Sequence, residues 1–248
     1  MSSYDAFARV YDVFTSNIDY KKRADYFCEL LARYTDKKGI CLDLACGTGT
    51  LCEEFFCRGF EVIGVDNSFE MLSIANSKKY SSNSDITYLC QDMTKLDLYG
   101  TVDVVFCVLD SLNHITQKSK LQHVFDKIAL FLDTEGYFVF DLNTEYKHYE
   151  ILANNCFVFE DADNFLVWQN ELSKNKVSIT LDIFEKNQKN YMRTTESFCE
   201  RAYTKDEIVE LLNKSGLELV DVFDEDNFNS PHEKSERLIY VAKHRKKC

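Results

Sequence analysis

The sequence predicts an α/β fold, a mostly parallel sheet with helices on both faces that carries a small inserted antiparallel β subdomain. Three observations predict it. Apolar strand-like runs alternate with helical stripes as far as Asn143. The first run, ICLDLACGTGTL (40–51), leads into a loop bared by Gly47 and Gly49. A second, EVIGVD (61–66), ends in an acid about 20 residues further on, the spacing of a nucleotide cradle. Beyond Asn143 the pattern changes to β-rich alternation.

Taken in order, Tyr26, Phe27, Leu30, Leu31 and Tyr34 form an apolar helical stripe that reads as core. Runs at 40–45, 62–65, 86–89, 102–109 and 137–142 read as buried strands. A helix is expected over 68–78, and Leu121, Val124, Phe125, Ile128 and Leu132 recur at helical spacing. Repeated strand, helix, strand requires parallel pairing through right-handed crossovers. Glycines punctuate the pattern: Gly39 precedes the first strand, Gly59 ends a helix, and Gly100, Gly136 and Gly216 are placed just before later strands. Over 157–201 the runs FVFE, FLVWQNEL, KVSITLDIFEK and NYMRTTESFCER are broken by DADN, SKNK and KNQKN, which read as hairpin turns. A helix over 204–214 opens on TKDE, a capping box with Thr204 as cap and Glu207 as the third helical residue. Two strands, 217–223 and 237–243, close the chain. The division expected is a core of 1–144 and 204–248 with an insertion at 145–203.

The chain has 248 residues, 45% hydrophobic and 28% charged, with a net charge of −12. An acidic field of this size disfavours a nucleic-acid partner, and the basic cluster 243–247 reads as a solvated terminus. The amino terminus MSSYDAF is polar, and no apolar run approaches the roughly 18 residues that span a bilayer, so a cytoplasmic location without membrane association is expected. Ten cysteines in such a chain read as small buried residues. With no C-x-x-C pair and no histidine near Cys41, Cys46, Cys52 and Cys57, no metal is expected. Oligomeric state is left open.

The loop sets the first functional expectation: bare backbone at Gly47 and Gly49 admits a flat ligand, and Asp66 is placed to accept from two ribose hydroxyls. A plainer reading makes Asp66 the cap of the helix that follows. A nicotinamide dehydrogenase would carry G-x-G-x-x-G, whereas the loop here is A-C-G-T-G-T-L without the third glycine, and no P-loop occurs. Together LDLACGTG (42–49), VIGVD (62–66), YLCQDMTKLDL (88–98) and VDVVFCVLDSLNHI (102–115) resemble successive motifs of the class I S-adenosylmethionine-dependent methyltransferases, in order and spacing over 38–143.

That resemblance implies a Rossmann-like sheet of seven strands, the last antiparallel, with S-adenosyl-L-methionine across the carboxyl ends of the first strands. Carried over by position, it implies that Ala45, Cys46, Gly47 and Gly49 border the methionine portion and that Asp66 holds the ribose. Asp92 and the Met93 amide would meet adenine, with Asn67 and Met71 along its face, and Leu109 and Asp110 would lie beside the transferable methyl. Asp43 would order the loop. Many members have glycine where this chain has Ala45, which is accommodated if that residue keeps a negative φ. Methyl transfer needs mainly an acceptor held in line with the S–CH₃ bond, plus a base when the acceptor arrives protonated. Tyr11, Asn113 and His114 are the leading candidates for that side, with Tyr4, Tyr146 and Trp168 behind them, while Tyr4, Phe7, Tyr11, Trp168 and Tyr203 are candidates to cover the site; a polar rim residue is the plainer reading of His114. The expected activity is methyl transfer to a small-molecule acceptor. An RNA or protein acceptor, or cofactor binding without catalysis, are the alternatives.

Overall fold

The computed structural model describes residues 7–161, 163–225 and 227–245. Tyr4, proposed above as a covering residue, lies outside them. Seven strands form one sheet: β1 (Ile40–Leu44), β2 (Glu61–Asp66), β3 (Thr87–Cys90), β4 (Val102–Cys107), β5 (Leu132–Asn143), β10 (Leu217–Asp224) and β11 (Arg237–His244). They lie in the order β10-β11-β5-β4-β1-β2-β3. β1 pairs in parallel with β2 and β4, β2 with β3, and β4 with β5, while β11 runs antiparallel to β5 and β10. The chain therefore winds outward one way from β1 and then the other way from β4. This opens a crevice at their carboxyl ends, where open α/β sheets bind ligands.

The central strands are mostly apolar because both of their faces are covered. Leu42, Leu44, Val105 and Cys107 face a core shared with α5 (Lys118–Phe131) and α6 (Lys205–Lys214). Their neighbours Cys41, Val104 and Phe106 face α2 (Tyr20–Ala32) and α3 (Thr50–Cys57). The remaining long helix, α4 (Phe69–Ser82), is capped by Ser68, whose Oγ accepts from the Met71 amide at 3.2 Å. The capping box of α6 forms as expected, with Thr204 Oγ1 accepting from the Glu207 amide and Glu207 Oε2 from the Thr204 amide.

A second sheet of four antiparallel strands, β6 (Cys156–Glu160), β7 (Asn164–Ser173), β8 (Lys176–Asn187) and β9 (Asn190–Arg201), occupies the segment where the alternation changes. SKNK and KNQKN supply its tight turns, joining Ser173 to Lys176 and Asn187 to Asn190. Its inner face packs Leu166, Val177, Ile179, Leu181 and Ile183 against Phe7 and Val10, the latter in the short helix α1 (Ala8–Phe14). One strand differs from expectation. β5 begins at Leu132, not after Gly136, so Gly136 sits inside the strand, and the β4–β5 register shifts beside it. A Cβ there would come within 2.8 Å of the Asp103 carbonyl, so close backbone packing, not a turn, demands the glycine.

Candidate functional site

A cavity of about 430 Å³ opens at the carboxyl ends of β1, β2 and β4, in the usual range for a small-molecule site. It is lined by Asp43, Ala45, Cys46, Gly47, Asp66, Asn67, Met71, Asp92, Met93 and Leu109 from the core, by Tyr11 and Tyr20 from the amino-terminal helices, and by His114, Phe198 and Cys199. Phe198 and Cys199 belong to β9, so the inserted sheet does contribute to the roof, but through residues the sequence did not single out. Trp168 instead bonds Asn170 and packs inside the inserted sheet, and the Tyr203 hydroxyl donates to the Ile115 carbonyl.

The loop after β1 is tightly folded. The Cys46 amide donates to the Val65 carbonyl and the Gly49 amide to the Cys46 carbonyl, both at 3.0 Å. Ala45 does not keep a negative φ: it stands at +64°, followed by Gly47 at +54° and Gly49 at +74°. A left-handed alanine costs roughly 1–2 kcal/mol, a strain borne by the loop itself. A Cβ on Gly47 would meet nothing within 4 Å, so the bare backbone faces open space in the cavity. Gly49 does not line the cavity. It starts α3, and a Cβ there would overlap the Tyr88 hydroxyl and Ala75.

Asp66 ties the loop to β2. Its Oδ2 accepts from the Gly47 amide at 2.9 Å and its Oδ1 from the Ser68 amide at 2.8 Å, while burial pushes its pKa up. Ser68 is the helix cap, so the carboxylate of Asp66 serves the loop and the cavity. Asp92 caps the 3₁₀ turn Met93–Lys95 through the Thr94 amide at 2.8 Å. Asp43 is buried, accepts from the Cys52 thiol at 3.2 Å, and is pushed up to about 7 by burial, with Asp66 adding to the rise.

Stability should therefore fall between about pH 4 and pH 7, because the unfolded chain releases this proton while the folded chain retains it. Asp43→Asn should remove that slope and gain up to about 4 kcal/mol at pH 8. Urea unfolding at pH 5 and pH 8 measures it, and an unchanged pH slope would assign the fall to other groups.

Beyond β4, Leu109 and Asp110 are consecutive left-handed residues, at φ +59° and +55°. Asp141, fully buried in β5, holds both. Its Oδ2 accepts from the Leu109 amide at 2.8 Å and its Oδ1 from the Asp110 amide at 2.6 Å. Arg237 bridges Asp110 at 2.8 Å and Asp141 at 3.0 Å, and Arg23 approaches Asp141 at 3.4 Å. The Asp110 side chain is thus drawn away from the cavity and does not line it. Burial would raise its pKa, but Arg237, with His114 and Lys147, pulls it down to about 2.

Of the three acceptor-side candidates, the structure brings two to the cavity. Asn113 is not one of them. It is fully buried, its Oδ1 accepting from the Asn143 amide at 2.9 Å and its Nδ2 donating to the Arg201 carbonyl at 2.8 Å, a strut between β5 and β9. Tyr11 is a lining residue whose acidity burial suppresses strongly, with Tyr20 adding to it, so it offers a hydroxyl and not a phenolate. Its helix is clasped to the loop: Thr48 Oγ1 donates to Asp12 at 2.6 Å, and Lys78 pairs with Asp12 at 2.7 Å. His114 ends a 3₁₀ turn, Ser111–His114, with its ring 4.9 Å from that of Phe198 and Nε2 3.9 Å from Glu200 Oε1. Donor atoms of Asp110, His114 and Glu200 lie within 4.8 Å of one another, with Arg237 already paired to Asp110.

Sequence reasoning missed Asp141, Arg237, Glu200, Asp12 and Lys78. Asp141 alone left a signal, an acid near the carboxyl end of the apolar run YFVFDLN.

With this geometry in view, four likenesses to known proteins are informative. A family described as "Methyltransferase domain" matches residues 41–136. The methyltransferase-family protein YqeM of Bacillus subtilis (strain 168) is 33% identical over 242 residues, covering 96% of each chain. An S-adenosylmethionine-dependent methyltransferase from Clostridium acetobutylicum ATCC 824 superposes with a TM-score of 0.89 at 33% identity, over 97% of this chain and 98% of the other. A more distant likeness, 27% over 118 residues, covering 48% of this chain and 45% of the other, is to the dTDP-3-amino-3,6-dideoxy-α-D-glucopyranose N,N-dimethyltransferase of Streptomyces fradiae. Parallel sheet, bared loop and switch-point cavity define a Rossmann-like nucleoside-binding enzyme. The chain belongs to the class I S-adenosylmethionine-dependent methyltransferases. Its cofactor is S-adenosyl-L-methionine, and the open backbone at Gly47 beside the Asp66 carboxylate fits it.

Proposed function

We propose that this methyltransferase acts in the cytoplasm on a small-molecule acceptor, with Tyr11 and His114 on the acceptor side of the cavity. The observation that carries this reading is the roof. Tyr11 of α1 and Phe198 and Cys199 of β9 wall the same cavity of about 430 Å³ that the cofactor would enter, which leaves room suited to a small acceptor. The net charge of −12 works against a polyanionic acceptor. The amino-sugar methylation named for the Streptomyces fradiae relative is in keeping with an acceptor of this size. Among the described residues no helix is long and apolar enough to cross a membrane.

S-adenosylmethionine supplies an activated methyl group on a positively charged sulfur. In this reading the loop at 45–49 and Asp66 hold its amino-acid and ribose portions, and Asp92, Met93, Asn67 and Met71 border the adenine. Leu109, fixed by Asp141, sets the wall beside the acceptor. Tyr11 orients the acceptor through its hydroxyl, and His114 takes the acceptor's proton.

The test is incubation with methyl-labelled cofactor and separate pools of small amines and phenols, RNA, and protein. Label in the small-molecule pool is expected. Label found only in RNA or protein, or cofactor binding without turnover in any pool, would replace this reading. Once an acceptor is in hand, His114→Ala should lower kcat by about 10²–10⁴-fold if His114 is the base.

A further inference from the structure

Behind His114 lies a pair of buried groups that the cradle does not use. Glu200, near the end of β9, is 2% exposed, and His148, in the π turn Lys147–Leu152, is fully buried. His148 Nδ1 lies 2.9 Å from the Thr144 carbonyl. A carbonyl can only accept, so Nδ1 carries a hydrogen. Nε2 of the same ring lies 3.3 Å from Glu200 Oε2, and among the described residues neither atom has another hydrogen-bond partner. A hydrogen on Nε2 as well makes the ring an imidazolium that holds the Glu200 carboxylate, whereas two bare lone pairs facing each other in a dry interior would repel. The other oxygen, Glu200 Oε1, faces His114 Nε2 at 3.9 Å.

We propose that Glu200, held in place by His148, is the counter-charge that lets His114 accept a proton beside a positively charged sulfur. Glu200 is thus a positioning residue for the acceptor-side base, an inference that rests on the reading of His114 given above. When the acceptor arrives protonated, its N–H or O–H bond breaks and the proton passes to the lone pair of His114. The cation so formed faces Glu200 across a distance at which opposite charges attract without a fixed hydrogen bond. Other charges face the ring: Asp110 from the loop after β4, already paired with Arg237 of β11; Asp66 of β2; and Lys147 at the start of the π turn, acting through Asp110. Among the described residues Glu200 has no guanidinium partner; its Oε2 faces the His148 ring, and its Oε1 turns the negative end of that ion pair toward His114. Phe198, against the ring, limits water on that side.

The experiment is a pH titration of the full chain by histidine side-chain ¹⁵N NMR, on wild type and on Glu200→Gln, which keeps the shape and removes the charge. The pH at which His114 takes its second proton should drop by one unit or more in Glu200→Gln, while His123, His232 and His244 stay unmoved. A change under about 0.2 units in a folded variant overturns the proposal. Should the variant not fold, the wild type decides alone: His148 must keep its hydrogen on Nδ1 from pH 5 to 9, and a bare Nδ1 overturns the arrangement. Calorimetry of S-adenosylmethionine with wild type, run in parallel, separates the failures. Absent cofactor binding defeats the function, whereas binding with an unmoved His114 defeats only the role of Glu200.

Discussion

Arg237→Met should cost about 3–5 kcal/mol of stability, the usual penalty for removing one partner from a buried ion network. Two carboxylates depend on this guanidinium, Asp110 at 2.8 Å and Asp141 at 3.0 Å, and the Asp141 side chain has no exposure at all. Among the described residues Asp141 would keep one cationic partner, Arg23 at 3.4 Å. The loss would also be felt in the cavity, because Asp141 holds the left-handed pair Leu109 and Asp110 through their amides. Urea unfolding measures the cost. A double variant, Arg237→Met with Asp110→Asn, should recover part of it, because the uncompensated charge on Asp110 is gone and asparagine tolerates the left-handed conformation. The depressed Asp110 pKa gives a matching acid-side effect. Its stabilisation is fully present above the unfolded value near 4 and is lost as pH falls through about 2. A loss below 1 kcal/mol in the single variant would mean that the network is hydrated in solution.

Asp66→Ala should weaken binding of the cofactor by about 1–3 kcal/mol, roughly 5- to 150-fold, through loss of charge-assisted hydrogen bonds. The geometry adds a second reason to the ribose contact. Both oxygens of Asp66 accept from backbone, at Gly47 and Ser68, so the variant also frees the amide that fixes the middle of the loop. Asp66→Asn keeps one acceptor and should fall between wild type and alanine. Calorimetry with S-adenosylhomocysteine gives the affinities, and thermal unfolding without ligand shows whether the fold has changed. Equal affinity in all three proteins would remove Asp66 from the cofactor's partners.

The cradle was legible in sequence because its chemistry is local. Gly47 and Asp66 lie 19 residues apart in one strand-helix-strand unit, and the parallel pairing of β1 with β2 brings them into hydrogen-bond contact. Continuous apolar runs gave the buried strands for the same reason: each strand's environment repeats along it. The rear of the site was illegible because it is assembled by topology. Asp141 and Arg237 lie far apart in the chain and meet only because β11 enters antiparallel to β5, pairing Arg237 with Asn143. Glu200 reads in sequence as one acid in an alternating strand, and its burial depends on where the whole inserted sheet docks. Asn113 misled for a related reason. Its place after β4 suits a substrate contact, but the arrival of Arg201 over it converts the amide into a strut. Ala45 shows a limit of residue preference, since the turn geometry overrides what alanine alone would adopt.

The most direct test is a crystal structure of the chain with S-adenosylhomocysteine. The ribose hydroxyls are expected within hydrogen-bond distance of Asp66, adenine between Asp92 and Met71, and sulfur beside Leu109 facing Tyr11 and His114. Density for the nucleoside elsewhere, or a cavity that remains water-filled at saturating ligand, would contradict the account.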